Sequence, residues 1–304
     1  MPSAHLEDSF RAAIAACGLT PPPKVTIDGR LHRFSTNGRA SDNSGWYVVY
    51  ASNLPAGAFG DWRTGLQSTW CDKSRDLLTE AEKTALRERV RAAHLARNQA
   101  QAMSQSLAME VAAHRWNSAG PATAHPYLMG KGVRSHGLRQ QGRFLLVPVR
   151  DVNHQLCSLQ TITPDGTKRF LSCGRTRGGY HSIGKLEAPL VICEGYATGA
   201  SIHEATQLPV AVAFNAGNLE QTASVLRARY PNLPLILAAD DDWLTTGNPG
   251  LTAARNAALA VGGHVVKPLF PPGRTPNSTD FNDLHLASGL DVVRSLFDEL
   301  RVLR

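Results

Sequence analysis

The second half of the chain constrains its fold most. From residue 189 onward, short apolar runs alternate with segments of helical character, joined by brief connections. P-L-V-I-C (189–193), V-A-V-A-F (210–214), L-I-L-A-A (235–239) and residues 264–267 read as strands. Residues 197–205, 219–229 and 249–261 read as the helices between them, with Pro249 suited to a first helical turn. Runs that are apolar throughout belong to strands covered on both faces, and strand–helix repetition assembles such strands into a parallel sheet. The expected fold class is α/β, with a C-terminal parallel sheet carrying helices on both faces.

In open sheets of this kind the ligand crevice lies outside the carboxyl ends of the strands. Two of these strands end on acids, Glu194 and the run Asp240-Asp241-Asp242. Charge beside apolar strands is costly unless something neutralises it. Mg2+ suits the task, because it takes oxygen ligands and commonly bridges to phosphates. One or two such ions would activate a hydroxyl and stabilise the charge of phosphoryl transfer. Glu194, the one acid on its strand end, is the candidate general acid or base and a metal ligand. Asp240 and Asp242 are the expected metal carboxylates, while Asp241 should point the other way in an extended loop. A lone Asp would more simply cap a helix; a Glu and an Asp-x-Asp on two strand ends favour metal. Asp280, in D-F-N-D (280–283), is open to both readings, a further metal ligand or an N-cap. Asn215 and Gly217, in N-A-G-N (215–218), offer backbone N–H groups suited to phosphate. Lys267, at the end of the fourth strand, is placed to neutralise a phosphate or pair with an acid.

The first half reads differently. Leu6, Phe10, Ile14 and Cys17 recur at helical spacing, and Pro21-Pro22-Pro23 then breaks the chain. Residues 24–70 hold short aromatic and β-branched runs divided by Gly and Asn, the pattern of a small antiparallel sheet. Trp46 and Trp62 read as its core. Arg33 and Arg63 read as contacts to single-stranded nucleic acid, which binds where basic and aromatic groups mix. Thr79 and Glu82 form a capping box opening a helix to about residue 117, whose Arg87, Arg89, Arg91 and Arg97 read as a solvated face. Residues 120–188 carry strand-like runs and basic residues beside turns. Lys168-Arg169, after P-D-G, is a candidate grip on triphosphate or template phosphates; Lys131, Arg134 and Arg143 are candidate DNA contacts. Four segments are expected: a small β-rich domain (1–76), a connecting helix (77–118), a basic α+β subdomain (119–188) and the catalytic domain (189–304).

Charge follows this division. Residues 1–188 hold 24 Lys and Arg against 14 Asp and Glu, and residues 189–304 hold 8 against 11. A basic front and an acidic back suit a protein that holds a polyanion in one part and metal in the other. The five cysteines (Cys17, Cys71, Cys157, Cys173, Cys193) include no Cys-x-x-Cys pair, so neither zinc nor a disulfide framework is expected. No run approaches a membrane span and no secretory leader is visible, so a cytoplasmic protein with no membrane partner is expected.

The Glu-Gly at 194–195 and the Asp-x-Asp at 240–242 resemble the pattern of the Toprim domain, shared by primases, topoisomerases and some nucleases. E-G-Y-A-T-G (194–199), N-P-G-x-x-A-A-R (248–255) and D-F-N-D-L-H (280–285) look more narrowly like the Toprim-type DNA primases of plasmids and phages. H-P-Y-L (125–128), K-G-V (131–133), H-G-L-R (136–139), P-D-G-x-K-R-F-L (164–171) and G-G-Y (178–180) are similar to that group as well. The resemblance implies a Toprim-like catalytic sheet behind a basic primase subdomain. It also implies a metal-dependent nucleotidyltransferase that makes short primers from ribonucleoside triphosphates on single-stranded DNA, with Mg2+ or Mn2+. By position, Glu194 would be the acid/base and Asp240 and Asp242 the metal carboxylates. The chain leaves no room for a helicase domain, so a separate replicative helicase is the expected partner. A Toprim-domain nuclease and a non-catalytic DNA-binding replication factor are the rival readings.

Overall fold

The computed structural model describes residues 2–40, 42–51, 55–72 and 79–300, without the side chains of residues 2–4, 82, 85, 86, 89 and 93. The 76/77 boundary, the Glu82 half of the capping box and the Arg89 side chain lie outside the described residues. Where four segments are expected, the chain forms two compact units, Met1–Ala100 and Gln101–Arg304.

The first unit begins with helix α1 (Pro2–Ala16). Strands β1 (His32–Phe34), β2 (Gly45–Tyr50), β3 (Ala56–Asp61) and β4 (Gln67–Cys71) follow as an antiparallel meander in that order. The helical spacing of Phe10 and Ile14 is used as expected: both are fully buried against Phe34, Tyr47, Val49, Phe59 and Trp70. The Phe10 ring meets Tyr47, Phe59 and Trp70 edge-on, with centroids 5.2–5.8 Å apart. Because strand side chains alternate, Trp46 and Val48 face away from α1. There they line an apolar hollow closed by Val90, His94 and Arg97 of helix α2 (Glu80–Ser118). Trp46 is buried, as the core reading requires. Trp62 is not a core residue: it lies just past β3, stays 36% exposed, and has the guanidinium groups of Arg33 and Arg97 at 5.2 and 5.6 Å.

The second unit starts within α2, whose Ala112 and Trp116 pack on Leu146 and Leu159. Strand β5 (Gly120–Pro121) and the short helix α3 (Pro126–Gly130) come next. Strands β6 (Arg139–Gln141), β7 (Phe144–Arg150), β8 (Leu156–Ile162) and β9 (Lys168–Phe170) complete a five-stranded antiparallel meander. The remaining elements are β10 (His181–Ile183), β11 (Leu190–Cys193), α4 (Tyr196–Thr206), β12 (Val210–Val212), α5 (Ala216–Arg229), β13 (Leu235–Ala238), α6 (Pro249–Val261), β14 (His264–Val266), α7 (Phe281–Ser288) and α8 (Leu290–Ser295).

The C-terminal sheet has the order β10-β12-β11-β13-β14; its last four strands in sequence are parallel, and β10 adds antiparallel to the edge. The parallel sheet and its flanking helices match the sequence expectation. Residues 181–183, inside the expected 119–188 segment, form strand β10 of this sheet. Both faces are covered: Val191 and Cys193 lie in one core with residues of α4, α7 and α8, and Leu190 and Ile192 in another with residues of α5 and α6. The first of these cores also takes in Leu145, Val147, Val149 and Ile162, so the two sheets of this unit share one apolar interior. Gly199 permits the closest approach of α4 to the sheet, since a Cβ there would stand 2.8 Å from Val212 Cγ2 and 3.0 Å from Cys193 Sγ.

Candidate active site

Strands β11 and β13 are neighbours, with Cys193 beside Ala238. The chain leaves β11 for β12 on one side and β13 for β14 on the other. A crevice opens at such a switch point, outside the carboxyl ends of the strands. Glu194 and Asp240 stand at its two lips.

The carboxylates there raise one another's proton affinity. Asp240 is held well above the usual carboxylate range, first by burial and then by Asp280, Glu194 and Asp242, against the opposing charge of Lys168. Its Oδ1 is buried without a hydrogen-bond partner. Glu194 is raised by burial and by Asp242, while Lys168 and the Ala216 N–H work the other way. Asp280 is raised by burial and by Asp283, which outweigh the Asp283 N–H, the Thr198 hydroxyl and Lys131. Of the two readings of Asp280, the cap is the one the structure shows. It caps α7, accepting from the Asp283 N–H at 2.8 Å, and its charge is felt at Asp240 and Lys168. Its second oxygen accepts from Thr198 at 2.9 Å, which ties α7 to α4.

Asp242 is held by the start of α6. The Gly250 N–H donates to its Oδ2 at 2.9 Å, and its own N–H donates to Asn248 Oδ1 at 2.8 Å. A Cβ at Gly250 would stand 2.8 Å from the Asp240 carbonyl and 2.9 Å from Asp242 Oδ2, so only glycine lets α6 come this near. Asp241 points the other way, as extended backbone predicts. It is buried and receives Arg274 at 2.7 Å, Lys267 at 3.4 Å and the Asn248 amide at 2.7 Å. Burial would raise its carboxyl, but these hydrogen bonds and charges prevail and hold it below its ordinary value.

The remaining candidates divide. The β9 pair is split by strand alternation: Lys168 shares a row with Ile162 and Leu145, Arg169 with Thr161 and Leu146. Lys168 is exposed, and its charge is coupled to the crevice: burial pulls its pKa down, while Asp280, Glu194 and Asp240 push it up. It also lies 5.8 Å from the Tyr127 ring. Arg169 instead lines an open groove with Arg115, Thr161 and Thr163. Lys131 lies 3.8 Å from Asp283 and near enough to Lys168 to depress it. Asn215 is the N-cap of α5 but makes no side-chain cap bond, and Gly217 sits in that helix's first turn. Lys267 takes the second of its two roles and pairs with Asp241. Arg134 reaches Glu204 at 3.9 Å with an exposed side chain, and Arg143 lies 5.8 Å from the Phe144 ring. Arg33 and Arg63 belong to the first unit. Arg63 is tied to buried Asp61 at 3.4 Å and to Thr36 at 3.3 Å.

Sequence reasoning missed the roles of two residues. Asn218 fastens α5 to the loop before β10: its Oδ1 accepts from the Gly178 N–H, and its amide donates to Gly179, Ala213 and Thr176 carbonyls. Arg274 closes over Asp241 from 33 residues away. In sequence Asn218 reads only as part of the N-A-G-N turn, and Arg274 lies in no pattern that spacing could single out.

Among the described residues no three His, Cys, Asp or Glu side chains stand close enough to hold an ion by themselves. Mg2+ is commonly held by one or two carboxylates, with water and substrate phosphates completing its shell. An all-oxygen, mutually repelling set with a partnerless buried Asp240 oxygen fits such an ion. The five cysteines are all free.

Residues 189–291, which hold the switch-point acids on a 2-1-3-4 parallel sheet, match the Toprim domain family. Over 289 residues, 90% of its length, the chain is 36% identical to a DNA primase TraC of Escherichia coli, and over 306 residues, 92% of its length, 34% identical to a second protein of that name. It spans 27% and 20% of those relatives. The zinc-binding and RNA polymerase domains of the Aquifex aeolicus primase overlay with a TM-score of 0.46 at 13% identity, over 97% of this chain and 84% of that one. No helix among the described residues is long and apolar enough to cross a membrane.

Proposed function

We propose that this chain is a metal-dependent nucleotidyltransferase of the primase type, joining ribonucleotides into short primers on single-stranded DNA. One observation supports the reading: Glu194 and Asp240, at the carboxyl ends of β11 and β13, share an electrostatic field with Asp242 and Asp280, opposed by Lys168. The similarity to DNA primases supports it, although the chain corresponds to about a quarter of those proteins.

Asp240 and Asp242, with Glu194 and Asp280 beside them, would hold one or two Mg2+ or Mn2+ ions. Bound there, such an ion supplies charge stabilisation at the reacting phosphate. The chain's own groups do the rest. Lys168 reaches toward the phosphates and offsets their charge. Glu194, whose proton affinity is raised, accepts the proton of the attacking 3′-hydroxyl. The hydroxyl oxygen bonds to the α-phosphorus and the bond to pyrophosphate breaks. Arg169, Lys131 and Arg143 would contact template phosphates, and Arg33 with Trp62 would offer a further single-strand contact on the first unit. Asn215 and Gly217, at the start of α5, would border the phosphates beside Glu194. A separate helicase and a cytoplasmic setting complete this reading.

The test is direct. The protein is incubated with single-stranded DNA, labelled ribonucleotides and Mg2+ or Mn2+, alongside Glu194→Gln and Asp240→Asn. Short ribonucleotide products lost in both variants support primer synthesis. Shortened template without synthesis would assign the crevice to a nuclease. Binding without either activity, unchanged by the substitutions, would leave a DNA-binding replication factor.

A further inference from the structure

Within the first unit, helix α2 and the sheet do not close on one another, and the residues between them show why. On the sheet face turned from α1, Trp46, Val48 and Tyr50 of β2 stand opposite Gly60, Ala58 and Ala56 of β3. The small residues fill little of the space that the large ones beside them hold open. A hollow of about 180 Å3 remains, closed in part by Arg97 and bordered by Leu31, which is 49% exposed. Voids larger than a water molecule are few in a protein domain.

The hollow also holds an unexplained charge. Arg97 reads in sequence as part of a solvated face, yet its Nε and Nη1 are buried and have no hydrogen-bond partner among the described residues. Its Nη2 donates to Asn98 Oδ1 at 3.3 Å. The Trp46 and Trp62 rings, each centred 5.6 Å from the guanidinium carbon, offset part of the cost of this burial. Two buried donors without acceptors remain unfavourable. An acceptor carried in on a flat, apolar body would satisfy a donor and fill the space at once.

A nucleobase has that description, a stacking face with acceptors on its edge. The volume lies below the roughly 300–1,000 Å3 of sites for drug-sized ligands, which suits one base rather than a whole nucleotide. The surroundings favour a base carried on a strand. Trp62 lies 5.7 Å from Trp46 and 5.2 Å from the Arg33 guanidinium. The hollow therefore continues into the Arg33–Trp62 surface, the single-strand contact of the proposed function.

We propose that this hollow takes up one unstacked base of the template strand, with Arg97 donating to its exocyclic oxygen. The inference deepens the primer-synthesis reading and rests on it. Arg97 can only donate, so the pocket discriminates by chemistry: guanine, cytosine and thymine carry such an oxygen, and adenine carries none.

Fluorescence anisotropy of the full chain with labelled oligo-dT, oligo-dA and an abasic strand of equal length tests the pocket. Arg97→Met removes the donors and keeps the stem; Ala58→Leu fills the space from the opposite wall. Each should weaken oligo-dT binding by about tenfold, within the range for a lost base contact, and leave the abasic strand bound as before. The unaltered chain should prefer oligo-dT to oligo-dA, and Arg97→Met should erase that preference. Equal losses on the abasic strand overturn the pocket and make Arg97 a phosphate contact. Oligo-dT binding that both variants leave intact overturns it as well, as does an unaltered chain that binds oligo-dT and oligo-dA alike. A loss confined to free ATP, titrated alongside, would make the hollow a nucleotide site instead. Thermal melts identify a variant that fails to fold; Arg97→Met, at a half-buried helix position, then carries the comparison alone. Primer synthesis by the unaltered chain, measured in parallel, separates a failed pocket from a failed primase reading.

Discussion

The Gly250 N–H donates to Asp242 Oδ2 at 2.9 Å, and the missing Cβ of Gly250 is what allows that approach. Gly250→Ala should displace the first turn of α6 from both Asp240 and Asp242. Misplacement of reacting groups by about 1 Å can lower rates by about 100-fold; a kcat loss of about tenfold or more is expected. Gly120→Ala, where an added Cβ meets nothing within 4 Å, is the matched control. Primer-synthesis assays on both variants decide it; equal activities would remove the packing argument.

Asp240 ties catalysis to stability with opposite signs. Its folded-state pKa lies above the ordinary value because burial and neighbouring acids oppose its charge. The folded state therefore binds the extra proton, and its stability falls as pH rises from the unfolded value through the raised one. Asp240→Asn should abolish synthesis yet raise Tm by roughly 2–4 °C at neutral pH in chelator. Mg2+ should raise the Tm of the unaltered chain more than that of the variant. Thermal melts with and without Mg2+ measure both.

The buried Arg274–Asp241 pair works in the reverse sense. Asp241 is held below its ordinary value, so its contribution is present above the usual carboxylate range and is lost as pH falls beneath it. Arg274→Ala strands a buried carboxylate and should cost about 3 kcal/mol or more in urea unfolding at pH 7. The deficit should shrink on acidification toward pH 4, where Asp241 without its partner takes up a proton.

Lys168 and Arg169 should separate cleanly despite adjoining one another. Lys168→Ala should lower kcat and raise KM for nucleotide, because its charge is coupled to Asp280, Glu194 and Asp240. Arg169→Ala should leave kcat at saturating template near normal and weaken DNA binding, reducing its salt slope by about 0.7. Steady-state kinetics with a salt series distinguishes them; identical profiles would contradict the row assignment.

In the first unit, Arg33→Ala and Trp62→Ala should each weaken single-stranded DNA binding by about 1–3 kcal/mol. Fluorescence anisotropy with an oligonucleotide at several salt concentrations is the measurement. The arginine variant alone should flatten the salt dependence.

Local pattern accounts for what could be read before the fold was known. Leu190 to Cys193 is apolar at every position, which only a strand covered on both faces explains, and Glu194 and Asp240 inherit their place from that strand geometry. Four features escaped for physical reasons. The strand at 181–183 is three residues long, too short to carry a period, and its antiparallel pairing depends on β12. Gly217 weakens the helical signal, so α5 begins at Ala216 rather than 219. Trp62 looked like core because size and aromaticity predict burial, whereas its place just past β3 leaves it at the surface. Arg274 is the purest case: its partners are set by the meeting of two distant loops.

The cap of α7 has a temporal consequence. Asp280 reaches the crevice only when α7 docks on α4 through Thr198, 82 residues earlier in the chain. A nascent polypeptide could thus complete β11 and β13 and bring Glu194, Asp240 and Asp242 together while this last acid is still missing. Asp280 therefore joins the other acids only after translation has passed the final strand.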